Sequence, residues 1–312
     1  MKYLVTGGAG FIGSHIVAAL RQQGAGVRVL DDFSSGKRAN LETQAEAGRQ
    51  GTLEVVEADL RDKARLSEAV RGVEVVFHEA AFVSVPASME RPQECFEVNC
   101  AGTTALLDAA RTAGVRRVVL ASSAAVYGDS QELPLAEQSA PRPLSPYAAS
   151  KLVDEIYASL YTQAMGLEVC ALRYFNVFGP RQRPDTQYAA AVPIFIRQLL
   201  RQEPPTIFGD GGQTRDLIFV GDVVRANLLA ADHAAAAGQV FNVCTGNKTR
   251  ILDLVEALYE LLPGAPKPRF APSRSGDIYE SVGSPARARE VLGFSASTPL
   301  LAGLKDTVEW MR

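Results

Sequence analysis

The 312-residue sequence is poor in the residues that build metal sites and disulfide frameworks. It has only three histidines, and each lies within an apolar or alanine-rich stretch. Its four cysteines are scattered and form no Cys-x-x-Cys pair: Cys95, Cys100, Cys170 and Cys244. We therefore expect no zinc site, no other bound metal, no disulfide framework and no histidine-based catalytic triad.

A charge excess of one sign and long apolar runs are also missing. The 32 basic and 35 acidic residues are intermixed and leave a formal net charge of −3, which provides no polycationic surface for nucleic acid or anionic lipid. No stretch approaches the roughly 20 apolar residues of a membrane-spanning helix, and the apolar run at the N-terminus is too short for a signal peptide. We expect a folded cytoplasmic protein that has neither nucleic acid nor a membrane as a partner.

The first half of the sequence alternates short β-type runs with helical stretches. Predicted strands cover residues 2–6, 27–30, 53–57, 74–78, 117–121 and 168–173, and the helices between them cover residues 12–23, 62–71, 93–113 and 148–165. Parallel strands need connections of helix length, so this order predicts an α/β fold built on a doubly wound parallel sheet.

The second half of the sequence has a different texture. After about residue 174, proline and glycine punctuate the chain, and helices are predicted at residues 189–202, 221–236, 250–262 and 300–311. Loop-rich segments on a rigid α/β scaffold commonly carry substrate specificity. We therefore predict a first domain over residues 1–174 and a smaller substrate-binding lobe over residues 175–312, with some elements interleaved between them.

A glycine-rich turn follows the first predicted strand. Gly7, Gly10 and Gly13 are spaced Gly-x-x-Gly-x-x-Gly and open the first helix, a pattern that lets backbone N–H groups approach a pyrophosphate. Asp31 ends the second strand, 18 residues beyond Gly13, where a carboxylate accepts hydrogen bonds from an adenosine ribose and repels a 2′-phosphate. No arginine directly follows Asp31. The pattern predicts NAD, not NADP, as the cofactor.

A second motif provides groups for proton transfer. Tyr147 and Lys151 form Tyr-x-x-x-Lys on a predicted helix and so share one face, one turn apart. A nearby ammonium stabilises a phenolate, which makes a tyrosine usable as a general acid or base. Ser122 and Ser123 close the fifth strand, and open α/β sheets bind their ligands at such strand ends. Tyr-x-x-x-Lys alone is frequent by chance, but its combination with the glycine-rich turn, Asp31 and a serine at a strand end is a highly specific pattern.

At this point the chain resembles the extended short-chain dehydrogenase/reductase family, and within it the NAD-dependent nucleotide-sugar epimerases and dehydratases. The resemblance is carried by Thr-Gly-Gly-Ala-Gly-Phe-Ile-Gly at 6–13, His-Glu-Ala-Ala at 78–81, Ser-Ser-Ala-Ala-Val-Tyr-Gly at 122–128 and Arg-Tyr-Phe-Asn-Val-Phe-Gly at 173–179. It implies a Rossmann-type NAD-binding domain with a smaller C-terminal lobe for a nucleoside-diphosphate sugar.

The resemblance also implies roles for individual residues. Ser123 and Tyr147 would hold and deprotonate the sugar O4, and Lys151 would bind the nicotinamide ribose. Asp59 and Leu60 would flank the adenine. The full cofactor set that it implies is Gly7, Gly10, Phe11, Ile12, Gly13, Asp31, Asp32, Ser34, Ser35, Gly36, Asp59, Leu60, Ala80, Ala81, Asn99, Tyr147, Lys151 and Tyr174. The substrate set is Ser84, Ser123, Asn176, Phe208, Arg215, Arg274, Asp277 and Ser281.

Two residues after Ser123 narrow the reaction. The family's 4,6-dehydratases carry an Asp-Glu pair after the catalytic hydroxyl, and its uronate decarboxylases carry Thr-Ser-Glu there. This chain has Ala124 and Ala125, which cannot transfer a proton. The remaining reaction is 4-epimerisation, in which the sugar is oxidised at C4, turns over, and takes the hydride back on its other face.

The resemblance indicates a UDP-hexose, and several alternatives stay open. Ser281, a few residues beyond Arg274–Asp277, would leave room for an acetamido group, so both UDP-glucose/galactose and the N-acetyl pair are expected substrates. Arg181 or Arg183 could meet a carboxylate, which leaves a UDP-glucuronate 4-epimerase open. A dehydrogenase that releases NADH is another alternative, and so is a silent NAD-binding scaffold, although the scaffold should have lost Tyr147 or Lys151. The family commonly forms homodimers through its helices near residues 93–113 and 148–165, and we expect the same here.

Overall fold

The computed structural model describes residues 2–42, 51–185, 190–273 and 278–312. Its strands, in chain order, are β1 (Lys2–Thr6), β2 (Gly26–Asp31), β3 (Leu53–Glu57), β4 (Val75–His78), β5 (Arg117–Ser123), β6 (Glu168–Tyr174), β7 (Asn176–Phe178), β8 (Thr206–Phe208), β9 (Thr214–Arg215), β10 (Leu217–Phe219), β11 (Val240–Val243), β12 (Thr249–Arg250) and β13 (Arg269–Ala271). Its helices are α1 (Phe11–Gln22), α2 (Lys63–Ala69), α3 (Val85–Glu90), α4 (Pro92–Cys95), α5 (Thr103–Thr112), α6 (Pro146–Ala164), α7 (Ala191–Leu200), α8 (Val220–Asp232), α9 (Ile251–Leu261), α10 (Ala286–Leu292) and α11 (Leu300–Met311).

Seven of these strands form one parallel sheet in the order β3-β2-β1-β4-β5-β6-β11. The chain reverses its direction of travel across the sheet between β1 and β4, which places the topological switch point at the carboxyl ends of those two strands. The central strands are apolar on both sides, and two separate buried clusters pack against them. The predicted doubly wound α/β fold is confirmed.

The second half of the chain contributes to the same sheet. Strand β11 pairs with β6, and α8 packs against α1 on one face of the sheet. A third buried cluster joins α7, α9 and α11 around side chains such as Phe195, Leu254 and Leu304. Short ladders carry the remaining strands: β7 with β10, β8 with β13, and β9 with β12. Across the described ranges, no helix is long and apolar enough to cross a membrane.

The helix predicted over residues 93–113 is more complex than expected. Its first turns, α4, run directly into a π-helical stretch, Phe96–Gly102, which then continues as α5. Such bulges widen a helix locally and often occur at functional sites. Here the widened stretch carries Asn99, whose buried side chain reaches towards the loop after β4.

Candidate active site

One large cavity of about 1160 Å³ lies over the carboxyl ends of the sheet strands. It extends from the glycine-rich turn after β1 to the short strand β8. Residues from both predicted sets line it: Gly7, Gly10, Phe11, Ile12, Gly13, Asp31, Asp32, Ser34, Ser35, Asp59, Leu60, Ala80, Ala81, Ser123, Tyr147, Lys151, Tyr174, Asn176, Phe208 and Arg215. The fold therefore brings together, in one space, most of the residues that the sequence singled out.

Of the predicted residues that the structure describes, four are not part of the cavity wall. Asn99 instead supports the wall, because its Oδ1 accepts from Phe82 N at 2.7 Å and its Nδ2 donates to Ser150 Oγ at 2.8 Å. Ser84 caps α3 by accepting from Ala87 N.

The other two contact residues that line the cavity or lie beside it. Gly36 packs behind Asp31, where an added Cβ would come within 2.8 Å of Asp31 Oδ1. The backbone N–H of Ser281 donates to the Thr214 carbonyl at 3.3 Å. The predicted ligands Arg274 and Asp277 lie outside the described residues.

The glycine-rich turn is shaped by contacts that larger residues would prevent. Gly7 has a φ of +65°, and a Cβ there would lie 2.7 Å from Ala80 N. A Cβ on Gly13 would lie 2.3 Å from the Gly7 carbonyl oxygen. Helix α1 begins after Gly10, has no acid in its first turn, and no side chain in the described part of the chain caps it. Its first N–H groups border the cavity, which is the arrangement that binds phosphate groups.

Asp31 holds this turn in place from the end of β2. Its side chain is almost fully buried and accepts from Ala9 N and from Phe33 N, both at 2.8 Å. Burial raises the pKa of the Asp31 carboxyl, and the two backbone hydrogen bonds oppose that rise. A carboxylate in this position fits the ribose of a dinucleotide, and the uncapped start of α1 beside it fits the pyrophosphate.

Tyr147 and Lys151 lie in the first two turns of α6. The helix begins with Pro146 as its first residue and with Ser145 as its cap, whose Oγ accepts from Ala148 N. Ser88 Oγ accepts from Tyr147 N at 3.2 Å and so ties α6 to α3. These contacts aim the start of α6 at the carboxyl end of β5, where Ser123 stands.

Lys151 is buried against a carboxylate that the sequence analysis missed. Its Nζ lies 3.4 Å from Asp154 Oδ2, and the two side chains are 3% and 2% exposed. Burial lowers the pKa of Lys151, but Asp154, Tyr147 and Glu79 outweigh it and leave the pKa raised. Burial raises the pKa of Asp154 to about 6, with Lys151 opposing the rise. Asp154 follows the motif lysine by three residues and so lies on the same face of the helix. This spacing could have identified it from the sequence as a partner of Lys151.

A buried ion pair anchors the strand end that carries Ser123. Ser122 Oγ donates to Glu155 Oε1 at 2.5 Å, and Arg173 donates to both Glu155 oxygens at 2.8 and 2.7 Å. Arg173 also lies over the Tyr127 ring, 4.7 Å from its centre. The pair links α6, β5 and β6, and so fixes the position of Ser123 relative to Tyr147 and Lys151.

Two of the three histidines make hydrogen bonds that hold together the segments around the site. His78 lies between Thr6 Oγ1 at 2.7 Å and Thr103 Oγ1 at 2.9 Å, and burial lowers its pKa to about 3. His15 donates to the Pro180 carbonyl at 2.9 Å, and burial lowers its pKa to about 4. Both rings are neutral at physiological pH and act as hydrogen-bonding struts.

The far end of the cavity is built from short strands. Asn176 opens β7, Phe208 ends β8, and Arg215 lies on β9. Gln213 Nε2 donates to the Phe208 carbonyl at 2.7 Å and joins two of these strands.

The two arginines raised as carboxylate partners already have contacts. Arg181 donates to the Ser14 carbonyl at 2.9 Å, and Arg183 pairs with Asp185 at 3.0 Å. Neither arrangement favours a uronate.

Comparison with known proteins places the chain among relatives that share this architecture. A model of the NAD dependent epimerase/dehydratase family matches residues 3–244. The UDP-glucose 4-epimerase of Mycolicibacterium smegmatis is 42% identical over 315 aligned residues, which cover 100% of this chain and 99% of that protein.

Two solved structures extend the comparison. The UDP-N-acetylglucosamine 4-epimerase from Methanobrevibacter ruminantium, in complex with UDP-N-acetylmuramic acid, is 37% identical with a TM-score of 0.94, covering 99% of this chain and 97% of that one. The UDP-glucose 4-epimerase of Thermus thermophilus, in complex with NAD, is 40% identical with a TM-score of 0.88, covering 99% of this chain and 98% of that one. On its sequence match, its sheet and its cavity, the chain belongs to the NAD dependent epimerase/dehydratase family.

Proposed function

We propose that the protein catalyses the reversible 4-epimerisation of a UDP-hexose with NAD as its bound cofactor. The substrates are UDP-glucose and UDP-galactose, and we extend the proposal to the corresponding N-acetylhexosamine pair. The bound cofactor would supply a hydride acceptor for C4 of the sugar and would be regenerated in each turnover when the hydride is returned. The observation that carries the proposal is the convergence of Ser123, Tyr147 and Lys151 on one cavity with the glycine-rich turn and Asp31.

The roles of the three convergent residues follow from their chemistry. Tyr147 takes the proton from the sugar O4 as C4 is oxidised and gives it back when C4 is reduced. Ser123 holds the same oxygen by hydrogen bonding. Lys151, which is buried and positively charged beside Asp154, stabilises the phenolate form of Tyr147 and binds the nicotinamide ribose.

The two residues that follow Ser123 favour epimerisation over elimination or decarboxylation. Ala124 and Ala125 follow the serine in a short 3-10 turn, and Ala125 N donates to Ser123 Oγ at 3.1 Å. Methyl groups cannot protonate a leaving hydroxyl or assist the loss of CO₂. The 4-keto sugar is therefore left with re-reduction as its outlet, which inverts C4 once the ring has turned over.

The two ends of the cavity bind different ligands in this proposal. We assign residues 1–174 to NAD and residues 175–312, together with Ser84 and Ser123, to the nucleotide-sugar. Asn176, Arg215 and Arg274 would hold the diphosphate, Phe208 would lie against the uracil, and Asp277 would bind the ribose. A cationic and amide-lined end suits a diphosphate, and an aromatic side chain suits a base.

The test is a product assay with purified protein. UDP-glucose, UDP-N-acetylglucosamine and UDP-glucuronate are supplied separately, and the anomeric protons of the products are resolved by NMR. We expect UDP-galactose from the first and UDP-N-acetylgalactosamine from the second. Stoichiometric NADH with a dehydrogenated product would contradict the proposal, and turnover of UDP-glucuronate alone would replace its substrate class.

We also propose that the protein is a cytoplasmic homodimer. Exposed apolar side chains on the predicted contact helices support the dimer, among them Phe96, Ile156 and Leu160. Light scattering of the wild type and of Ile156→Arg tests it, with a dimer expected for the first and a monomer for the second. Cell fractionation tests the compartment.

A further inference from the structure

Glu79 is a cavity-lining acid to which the proposed mechanism gives no task. It follows directly after β4, and its backbone N–H donates to the Thr6 carbonyl at 3.1 Å, which fixes it at the switch point of the sheet. Tyr147 and Lys151 line the same cavity. The Glu79 carboxylate lies close enough to the Lys151 ammonium that its charge contributes to the raised pKa of Lys151.

The carboxyl is held by a hydrogen-bonded chain that crosses the sheet. Tyr174, at the end of β6, donates its hydroxyl to Glu79 Oε1 at 2.8 Å, and Asn227 Nδ2 of α8 donates to that hydroxyl at 2.7 Å. Tyr174 is itself buried, so the chain holds Glu79 in one orientation. Glu79 itself is half-buried on the cavity wall, where a carboxyl held in one orientation can act on a bound ligand.

We propose that Glu79 supplies a negative charge at the nicotinamide end of the cavity, and that this charge favours the oxidised over the reduced form of the bound cofactor. The inference rests on the proposed function, because it takes the nicotinamide to lie beside Lys151. It assigns Glu79 an electrostatic role that is distinct from the proton transfer by Tyr147.

The physical basis is the charge that the ring loses. Nicotinamide carries a positive charge when oxidised and none after it accepts the hydride's two electrons, so a nearby carboxylate stabilises the oxidised form selectively. An epimerase gains from this bias. If the equilibrium favoured the reduced cofactor, the 4-keto sugar would persist and could leave the site before the hydride returned to it. The carboxylate helps to return the hydride to the sugar.

The charge state of Glu79 gives the inference a pH signature. Burial raises the pKa of Glu79 to about 7, while the Tyr174 hydroxyl and the Lys151 ammonium oppose the rise. Among the described residues, Tyr174 and Lys151 act on the Glu79 carboxyl and Tyr147 lines the same cavity, whereas the two ring nitrogens of His78 are bonded to Thr6 and Thr103. The bias is therefore present above about pH 7 and is lost as the pH falls through that value.

The experiment compares wild-type holoenzyme with Glu79→Gln. This variant keeps the size of the side chain and one oxygen that can accept from Tyr174, replaces the other oxygen with an NH2 group, and removes the charge. Each protein is loaded with NAD and mixed with saturating UDP-glucose, and bound NADH is measured by its near-ultraviolet absorbance. We expect roughly three- to tenfold more bound NADH in the variant at about pH 8. The difference should shrink towards none at about pH 6, where the wild-type carboxyl is also neutral.

Controls separate this effect from damage to the fold. Glu290→Gln, an exposed glutamate on α10, should match the wild type at both pH values. Glu79→Ala serves as a second charge-removing variant if Glu79→Gln does not fold, and should also raise NADH. Equal NADH in the wild type and in the folded charge-removing variant at about pH 8 would overturn the inference. If wild-type protein forms no 4-epimer at all, it is the proposed function that fails.

Discussion

The two ends of the active-site cavity are built in different ways. The end that we propose for the cofactor is built on one sheet: the glycine-rich turn, Asp31 and Ala80 stand at the ends of adjacent strands, and hydrogen bonds of the backbone and of the Asp31 side chain connect these strand ends. The end that we propose for the nucleotide-sugar is built on three separate short ladders that carry Asn176, Phe208 and Arg215. The first end is preorganised by continuous structure, whereas the second depends on packing between distant segments. Cofactor binding should therefore survive changes that remove sugar chemistry.

The largest effect is expected at the reacting centre, where the two ends meet. Tyr147→Phe removes the proton acceptor and keeps the ring, so turnover should fall by about 10²–10⁴-fold while NAD stays bound. Tyr157→Phe, a partly buried tyrosine on the same helix that does not line the cavity, is the matched control. Activity of the first variant within about threefold of the wild type would refute the role of Tyr147.

A change at Asp31 tests how much of the cofactor end depends on one carboxylate. Asp31→Ala removes the acceptor of two backbone N–H groups and of the ribose, so the affinity for NAD should fall by about 10–100-fold and discrimination against NADP should relax. Isothermal titration with both cofactors measures it, with Asp32→Ala expected to lose less. Wild-type protein that bound NADP as tightly as NAD would show that Asp31 does not select the cofactor.

A smaller effect is expected from unpairing Lys151. In Asp154→Asn, burial acts on Lys151 without its partner carboxylate, so the pKa of Lys151 falls and the ammonium is lost at a lower pH. The alkaline limb of the kcat/KM profile should move to lower pH, with about a tenfold loss on that limb. A loss that was uniform across the pH range would indicate structural damage instead. Asp108→Asn, which removes an exposed acid paired with Arg111, is the control.

The smallest effect is expected at the sugar end. Ser281→Tyr adds bulk beside the strand that carries Arg215, and it should lower activity on UDP-N-acetylglucosamine more than on UDP-glucose, because steric exclusion acts on the acetamido group alone. Parallel kinetics on the two substrates measure it. Equal loss on both, or none on either, would show that position 281 does not control which sugars the cavity accepts. That result would strengthen the comparison between the two ends of the cavity: contiguous motifs predict the residues of the first end, whereas segments far apart in the chain build the second.

The same contrast explains what could be predicted from the sequence. Contiguous motifs, such as the glycine-rich turn and Tyr147 with Lys151, fix their own geometry through strand and helix periodicity, and the structure brings them together in one cavity. Strand β11 was missed as a member of the main sheet, since its pairing with β6 joins residues about 70 positions apart, a distance that no local pattern reports. The chain of Glu79, Tyr174 and Asn227 was missed for the same reason, because three elements contribute one residue each.

The fate of the hydrogen at C4 tests the central claim most directly. UDP-glucose carrying deuterium at C4 is converted by the holoenzyme, and the product is analysed by NMR and mass spectrometry. Internal transfer and return of the hydride predicts UDP-galactose that retains the deuterium at C4, with no NADH accumulating as turnover proceeds. Deuterium lost to solvent, or NADH released in proportion to product, would contradict the account.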